Sequence, residues 1–119
     1  MKKNILFFVV IIILVTGCVQ NSLYYWDGYS TSLYKYKKDP SDNTIQAHKE
    51  SILKIIDKSD YYGKKIPPGV YCEYGYYLLQ ENNYEEAKKY FELEITLYPE
   101  SEKFVSLLLK EIQTKKEKE

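Results

Sequence analysis

The sequence has no arginine, a single histidine and only two cysteines. All seventeen basic residues are lysines, so the chain lacks the forked side chain that most often binds phosphates, carboxylates and guanine edges. Seventeen acidic residues balance the lysines, which argues against a nucleic-acid partner. No histidine, cysteine or carboxylate stands at metal-ligand spacing, so we expect no metal, no cofactor and no catalytic residue, and therefore no enzymatic activity.

Long apolar runs are scarce as well, and the longest one, Ile5–Val15, lies close to the N-terminus behind Lys2 and Lys3. It ends in Val15-Thr16-Gly17-Cys18, which resembles a lipobox. We expect residues 1–17 to be a lipoprotein signal peptide and Cys18 to carry a diacylglycerol and a further acyl chain such as palmitate. The alternative is an uncleaved membrane anchor, which needs about 20 apolar residues.

A lipidated Cys18 would attach the mature protein to a membrane. Val19 follows it, whereas Asp at that place is the usual inner-membrane retention signal in Gram-negative lipoproteins. We therefore expect an outer-membrane lipoprotein facing the periplasm, or the outer leaflet of the cytoplasmic membrane in a cell with one membrane. Fifteen lysines and seventeen acidic residues would give the mature chain a net charge of −2. Cys72 would be its one thiol, so no intrachain disulfide is expected.

Residues 18–38 are interpreted as a lipidated tether segment rich in aromatic side chains, and residues 39–119 as one small helical domain. Asp39-Pro40-Ser41-Asp42 is typical of a helix start, with a capping side chain followed by proline at the first helical position. Apolar residues then recur at helical spacing as far as about Ser59; with His48 they are Ile45, Ile52, Ile55 and Ile56. The paired prolines within residues 61–69 predict a loop.

Residues 68–101 match the spacing of the 34-residue tetratricopeptide repeat. The positions that carry the match are Tyr71, Tyr74, Gly75, Leu78, Ala87, Phe91 and Pro99. Gly75 and Ala87 would let two helices approach closely, Phe91 would fill the space between them, and Pro99 would end the second helix. Asn83 and Glu86 predict a capping box at the start of that helix. A generic helical hairpin is the alternative.

A further helix is predicted at about residues 101–115, starting at Ser101, with Val105, Leu108 and Ile112 on its apolar face. Leu109 occupies the position that a second repeat would give to a small residue, so this helix is interpreted as a cap. The expected fold is therefore all-α, a tetratricopeptide-like hairpin flanked by one helix on each side. Because such repeats need about three copies to bury their apolar faces, we expect the aromatic segment to pack on it.

The aromatic segment allows more than one role. Its candidate partner-binding residues are Tyr25, Trp26, Tyr29 and Tyr34. These rings could complete the core of the same chain, since aromatic side chains bury large areas. Alternatively they could recognise a protein, lie at the membrane interface or stack on the carbohydrate of peptidoglycan.

Polar residues on the predicted helices are interpreted as structural. We expect His48 to pack against the core and Cys72 to act as a small buried apolar residue. Glu92 and Glu94 are interpreted as solvated charges that pair with lysines of their own helix.

The whole pattern resembles a family of small bacterial lipoproteins of unknown function, the domain-of-unknown-function family numbered 4810. The motifs that carry the resemblance are Tyr25-Trp26-Asp27-Gly28-Tyr29, the run Ser32–Tyr36, Ile66-Pro67-Pro68-Gly69 and the repeat residues named above. Members tend to have Gly directly after the Trp, whereas here Asp27 intervenes. The resemblance implies an envelope assembly, because members are often encoded beside a lipoprotein similar to the curli secretion pore subunit. It implies no activity.

These observations favour a lipid-anchored protein of the cell envelope. It would act as a protein–protein interaction adaptor or as an accessory subunit of an envelope complex. The alternatives are a structural or self-assembling spacer and a peptidoglycan-binding lipoprotein.

Overall fold

The computed structural model describes Met1 and residues 22–117, and this part of the chain is all-helical, which confirms the predicted fold class. In chain order the elements are α1 (Tyr29–Lys38), α2 (Asp42–Ser59), α3 (Val70–Gln80), α4 (Tyr84–Leu97), a 3₁₀ turn (Pro99–Ser101) and α5 (Glu102–Lys116). The two-helix hairpin, the helix on each side of it and the loop before it lie where the sequence predicts them.

Helix α1 is an element that the sequence analysis did not predict, because residues 29–38 were interpreted as part of a tether. Its sequence, YSTSLYKYKK, is polar and has no apolar stripe. It begins after Gly28, whose φ of 67° lies in the left-handed region that favours glycine. Its last turn carries three lysines, which interact favourably with the negative end of the helix dipole.

The predicted start of α2 is wrong by two residues. Asp39 belongs to the end of α1 instead, where its backbone N–H donates to the carbonyl of Lys35. The cap of α2 is Ser41, and the side chain of Thr44 reaches back to the Ser41 backbone N–H at 3.0 Å. Because Asp39 already closes one helix, the next helix begins only after Pro40, at a capping box of Ser41 and Thr44.

Helices α3 and α4 form the closest helix pair, and the residues predicted to make the contact do so. A Cβ atom on Gly75 would lie 2.8 Å from Cε1 of Phe91 and 3.2 Å from the carbonyl oxygen of Ala87. Both Phe91 and Ala87 are fully buried. Helix α4 ends at Leu97, two residues before Pro99.

The predicted capping box at Asn83 and Glu86 is wrong. Asn83 does precede α4, and its carbonyl accepts the first helical bond from Ala87, but its side chain makes no capping hydrogen bond. Its backbone, at φ −86° and ψ 70°, lies outside the extended region from which a capping side chain usually reaches the first amides.

Two apolar clusters form the core, one on each side of α3. The first lies between α3, α4 and α5; its buried members are Leu78, Leu79, Tyr84, Ala87, Phe91, Val105 and Ile112. The second lies between α2 and α3 and contains Ile52, Ile55 and Val70. Tyr74 packs against both clusters, so the ring of this one tyrosine joins them.

Candidate functional site

The four aromatic residues predicted to bind a partner separate into two pairs. Tyr25 and Tyr29 pack on the cluster of Ile52, Ile55 and Val70 and are half-buried. Trp26 and Tyr34 remain 45% and 65% exposed. The expected packing of the aromatic segment on the helices therefore holds for the first pair, and the second pair is free to meet another surface.

The signal peptide and the proposed lipidation site at Cys18 lie outside the described residues, apart from Met1. The first described residues after the gap pair with the loop before α3. The Lys65 N–H donates to the Leu23 carbonyl at 3.0 Å, and the Tyr25 N–H donates to the Lys65 carbonyl at 3.3 Å. Tyr25 also stacks on Tyr62 with ring centroids 4.9 Å apart. Residues 23–25 are thus held against this loop.

A buried hydrogen-bond cluster joins α1, α2 and α3 around His48, and we call it the polar clasp; its members are Tyr29, Ser32, His48 and Glu73. The imidazole is fully buried, with Nδ1 2.8 Å from the Ser32 hydroxyl and Nε2 3.0 Å from Oε1 of Glu73. The Tyr29 hydroxyl donates to the other oxygen of Glu73 at 2.8 Å. The prediction that His48 packs against the core is confirmed. In addition, its two ring nitrogens connect α2 to Ser32 of α1 and to Glu73 of α3.

The order serine, histidine, carboxylate resembles a hydrolytic triad, but the two ring nitrogens are exchanged: here the serine contacts Nδ1 and the carboxylate contacts Nε2. The Ser32 hydroxyl lies 2.9 Å from the Tyr29 carbonyl and 2.8 Å from Nδ1 of His48, so two acceptors compete for its single proton. The imidazole is also enclosed by aromatic rings. Burial and Glu73 raise the pKa of the Tyr29 hydroxyl, which keeps it a donor. The clasp joins α1 to α2 and α3.

Glu94 contradicts its prediction as a solvated, lysine-paired charge. It is 1% exposed, and its two carboxylate oxygens accept from the backbone N–H groups of Gly69 at 2.7 Å and Cys72 at 3.2 Å. These amides belong to the first turn of α3, whose dipole favours a negative charge there. The neighbouring Glu92 does behave as predicted, lying 3.7 Å from Lys88 on the surface.

An apolar groove of about 630 Å³ opens between α3 and α5, and we call it the α3–α5 groove. Its apolar wall is formed by Pro68, Cys72, Tyr76, Tyr98, Phe104, Val105 and Leu108. Phe104 is 60% exposed although it is a large apolar residue. Three glutamates also line the groove, and the described lining contains no lysine. Exposed aromatic side chains around a concave apolar surface are typical of a protein-binding site.

Cys72 lies in the wall of this groove and is half-buried rather than fully buried. Burial, followed by the nearby charges of Glu94 and Glu73, raises the pKa of its thiol to about 11. A thiol with such a pKa is almost entirely protonated near neutral pH, so it is a poor nucleophile. Its contribution to the groove is apolar surface.

The clasp carboxylate, the buried cap and the groove were not predicted from the sequence. A signal for the first two was present, since Glu94 follows Ala87 and Phe91 on one helix face, and Glu73 shares a face with Val70 and Tyr77. A carboxylate on an apolar stripe indicates a buried acceptor that needs a donor. The groove gave no such signal, because its two walls come from separate helices.

Within the described part of the chain, no group of three histidine, cysteine or acidic side chains is placed to hold a metal ion. A search of the same residues found no helix with the length and apolar character needed to cross a bilayer.

Comparison with known proteins gives one match. A family model described as "Domain of unknown function (DUF4810)" matches residues 23–108, which include α1 to α4 and the first half of α5. No curated protein and no solved structure matches this chain.

Proposed function

This chain belongs to the DUF4810 family, and we propose that it is a lipid-anchored cell-envelope protein that works as an adaptor or accessory subunit of an envelope complex. The proposed anchor is Cys18, lipidated after removal of residues 1–17. The proposed location is the periplasmic face of the outer membrane, or the outer leaflet of the cytoplasmic membrane in a single-membrane cell. We propose a binding role rather than an enzymatic one.

The observation that carries this proposal is the α3–α5 groove. Phe104 and Tyr76 face it while remaining 60% and 46% exposed. Because about half of each side chain is already buried, covering the rest would contribute about 0.8–1.5 kcal/mol for each ring. Two such rings in one concave surface are the kind of anchor points at which binding energy concentrates in protein interfaces.

The charge of the groove indicates the chemistry of its partner. Glu73, Glu94 and Glu100 lie around an otherwise apolar wall. Both carboxylate oxygens of Glu73 and of Glu94 already accept hydrogen bonds within the fold, so of these three glutamates the exposed Glu100 is the one available to a partner. We propose that the groove takes an apolar segment, such as one face of an amphipathic helix, with lysine or arginine beside it. The family resemblance implies one candidate that can be tested directly, a lipoprotein similar to the curli secretion pore subunit.

A pair of matched substitutions on α5 tests the groove. Phe104→Ser removes a ring that lines it, whereas Leu107→Ser removes an apolar side chain of the same 60% exposure that lies outside it. After cross-linking in the native cells and affinity purification, we expect a defined partner protein to be lost with Phe104→Ser and retained with Leu107→Ser. Equal recovery of every cross-linked protein with both variants would contradict a groove-based adaptor.

The same purification separates the alternative functions. If the cross-linked species is a second copy of this chain, the protein is a self-assembling spacer. If the unlipidated protein sediments with purified peptidoglycan, it is a cell-wall-binding lipoprotein.

The anchor has a separate test, because it rests on the lipobox pattern and not on the groove. Mass spectrometry of the protein from its own membranes should find an N-terminus at residue 18 with acyl mass on the cysteine. Cys18→Ser should abolish both the cleavage and the added mass. A cellular form that begins at Met1 without acyl chains would contradict the proposed localisation.

A further inference from the structure

The first described residues after the gap, Ser22 and Leu23, and the loop of residues 60–66 lie on the same side of the molecule. Ser22, Leu23, Tyr62, Gly63 and Lys64 line one shallow pocket, so the first described residues and the loop are in contact. The Lys64 ammonium group also contacts the Ser22 carbonyl. The chain therefore enters the fold beside this loop.

The surface around this entry point carries aromatic and basic side chains that the adaptor role does not use. We call it the anchor-side surface and define it by Leu23, Lys58, Tyr61, Tyr62 and Lys65. Tyr61 is 79% exposed and Tyr62 is 53% exposed, and their rings meet edge to face with centroids 5.0 Å apart. The Lys58 ammonium lies 5.9 Å from the centre of the Tyr61 ring. Residues 58–65 contain three lysines and one aspartate, so the loop is cationic.

Chain length limits how far this surface can lie from the lipids. Three residues lie between Cys18 and Ser22, so the chain covers four residue steps of at most about 3.6 Å each, or about 14 Å. A diacylated cysteine places its backbone at the headgroup layer. Since the layer outside the hydrocarbon core is itself several ångströms deep, Ser22 and the loop that contacts it are kept close to the headgroups.

Tyrosine and tryptophan favour this layer because one end of the ring is apolar and the other end forms hydrogen bonds with water and headgroups. Lysines beside them attract anionic lipids. On these grounds we infer that the anchor-side surface rests on the phospholipid headgroups and holds the helical domain in one orientation on the membrane. This inference rests on the proposed lipidation of Cys18. It implies that the lipids fix the direction in which the α3–α5 groove faces.

The chain contains a single tryptophan, Trp26, which follows Leu23 of this surface by three residues and is 45% exposed, so its fluorescence reports how close this part of the molecule lies to the membrane. Protein purified from its own membranes is reconstituted into vesicles of phosphatidylglycerol and phosphatidylcholine brominated near the headgroup. Bromine quenches tryptophan only at short range. We expect Trp26 emission to be quenched and shifted to shorter wavelength, compared with vesicles of unbrominated lipid.

A chemical tether makes the outcome independent of lipidation in cells. The chain from residue 18, with Cys72→Ala so that one thiol remains, is coupled through Cys18 to a maleimide-bearing lipid in the same vesicles. If Trp26 is quenched in the tethered protein but the cellular protein lacks acyl chains, the lipid anchor is disproved. The inference that this surface binds the membrane then still stands. Tethered protein with unquenched Trp26 would overturn the inference whatever the cell does to Cys18.

Matched variants identify the residues responsible. Tyr61→Ser should reduce the quenching, whereas Tyr76→Ser, which removes an exposed tyrosine from the α3–α5 groove, should leave it unchanged.

Lys58→Gln and Lys65→Gln should each lower the ratio of membrane-seated to free orientations about fivefold on anionic vesicles, since a surface lysine contributes about that factor. Circular dichroism checks that every variant is folded. Equal quenching in the Tyr61→Ser and Tyr76→Ser proteins would overturn the assignment of this surface.

Discussion

Replacing Gly75 with alanine tests the close packing of α3 on α4. The added Cβ would lie 2.8 Å from Cε1 and 2.9 Å from Cδ1 of Phe91, and 3.2 Å from the carbonyl oxygen of Ala87. Non-bonded carbon atoms prefer a separation of about 3.5–4.0 Å, so the methyl group would overlap two ring atoms. Because the ring is fully buried, it cannot move aside without displacing its neighbours.

Two opposing free-energy terms decide the result. Alanine is favoured over glycine inside a helix by about 1 kcal/mol. Forcing an extra methyl group into a packed core costs about 1–3 kcal/mol, and an overlap with two ring atoms and a backbone carbonyl belongs at the upper end. We therefore expect Gly75→Ala to lower the free energy of unfolding by about 1–2 kcal/mol. In a domain of this size each kcal/mol lowers Tm by about 4–8 °C.

Urea denaturation of residues 19–119, followed by circular dichroism, measures this change. Phe91→Leu removes the Cε1 atom, so Gly75→Ala should cost less in that background, and a double-mutant cycle should give a coupling of about 0.5–3 kcal/mol. A Gly75→Ala protein that is stabilised by about 1 kcal/mol, the gain expected at an unobstructed helix position, would refute the reasoning.

Three further predictions concern buried polar groups. Glu94→Ala should lower the free energy of unfolding by about 2–3 kcal/mol, because it leaves two backbone amides at the start of α3 without an acceptor. In the same urea titration, the surface variant Glu92→Ala should change the free energy of unfolding by less than about 0.5 kcal/mol. The thiol of Cys72 should react with a disulfide reagent about 100-fold more slowly in the folded than in the unfolded protein near pH 8, since its pKa is raised from 9.0 to about 11; equal rates would show that it is neither buried nor repelled by carboxylates. Burial raises the pKa of Tyr77 and Tyr98 to about 12, so the folded state favours their neutral forms. The stability they contribute is complete below pH 10 and is lost as the pH rises toward 12, which circular dichroism and phenolate absorbance should both record.

The helical hairpin could be predicted because its determinants lie close together in the sequence. Gly75, Ala87 and Phe91 occupy fixed offsets, and helix pairing needs a small residue opposite a ring at those offsets. Helix α1 could not be predicted in this way, since its inward face consists of Tyr29, Ser32 and Tyr36, which pack around His48. Its stability comes from contacts made across the fold, and these leave no apolar period in the chain.

The residues of the candidate sites also divide into those that could be predicted from the sequence and those that could not. The aromatic residues of the segment, such as Trp26, could be named from the sequence. Which of their rings are buried could not, because Tyr25, for example, stacks on Tyr62 of a distant loop. Glu94 was assigned to the surface because charged residues usually lie there, whereas two free amides at the start of α3 provide the donors that let it be buried. The groove exists only once α5 has packed beside α3, so Phe104 and Tyr76 share no pattern along the chain.

The polar clasp also sets the shortest form of this protein that should be produced in isolation. Any truncation that starts at residue 39 would delete Tyr29 and Ser32, and it would leave the imidazole of His48 facing solvent with half of its hydrogen bonds missing. Expression boundaries for crystallisation or NMR should therefore begin no later than Leu23. Residue 23 is also where the match to the family begins.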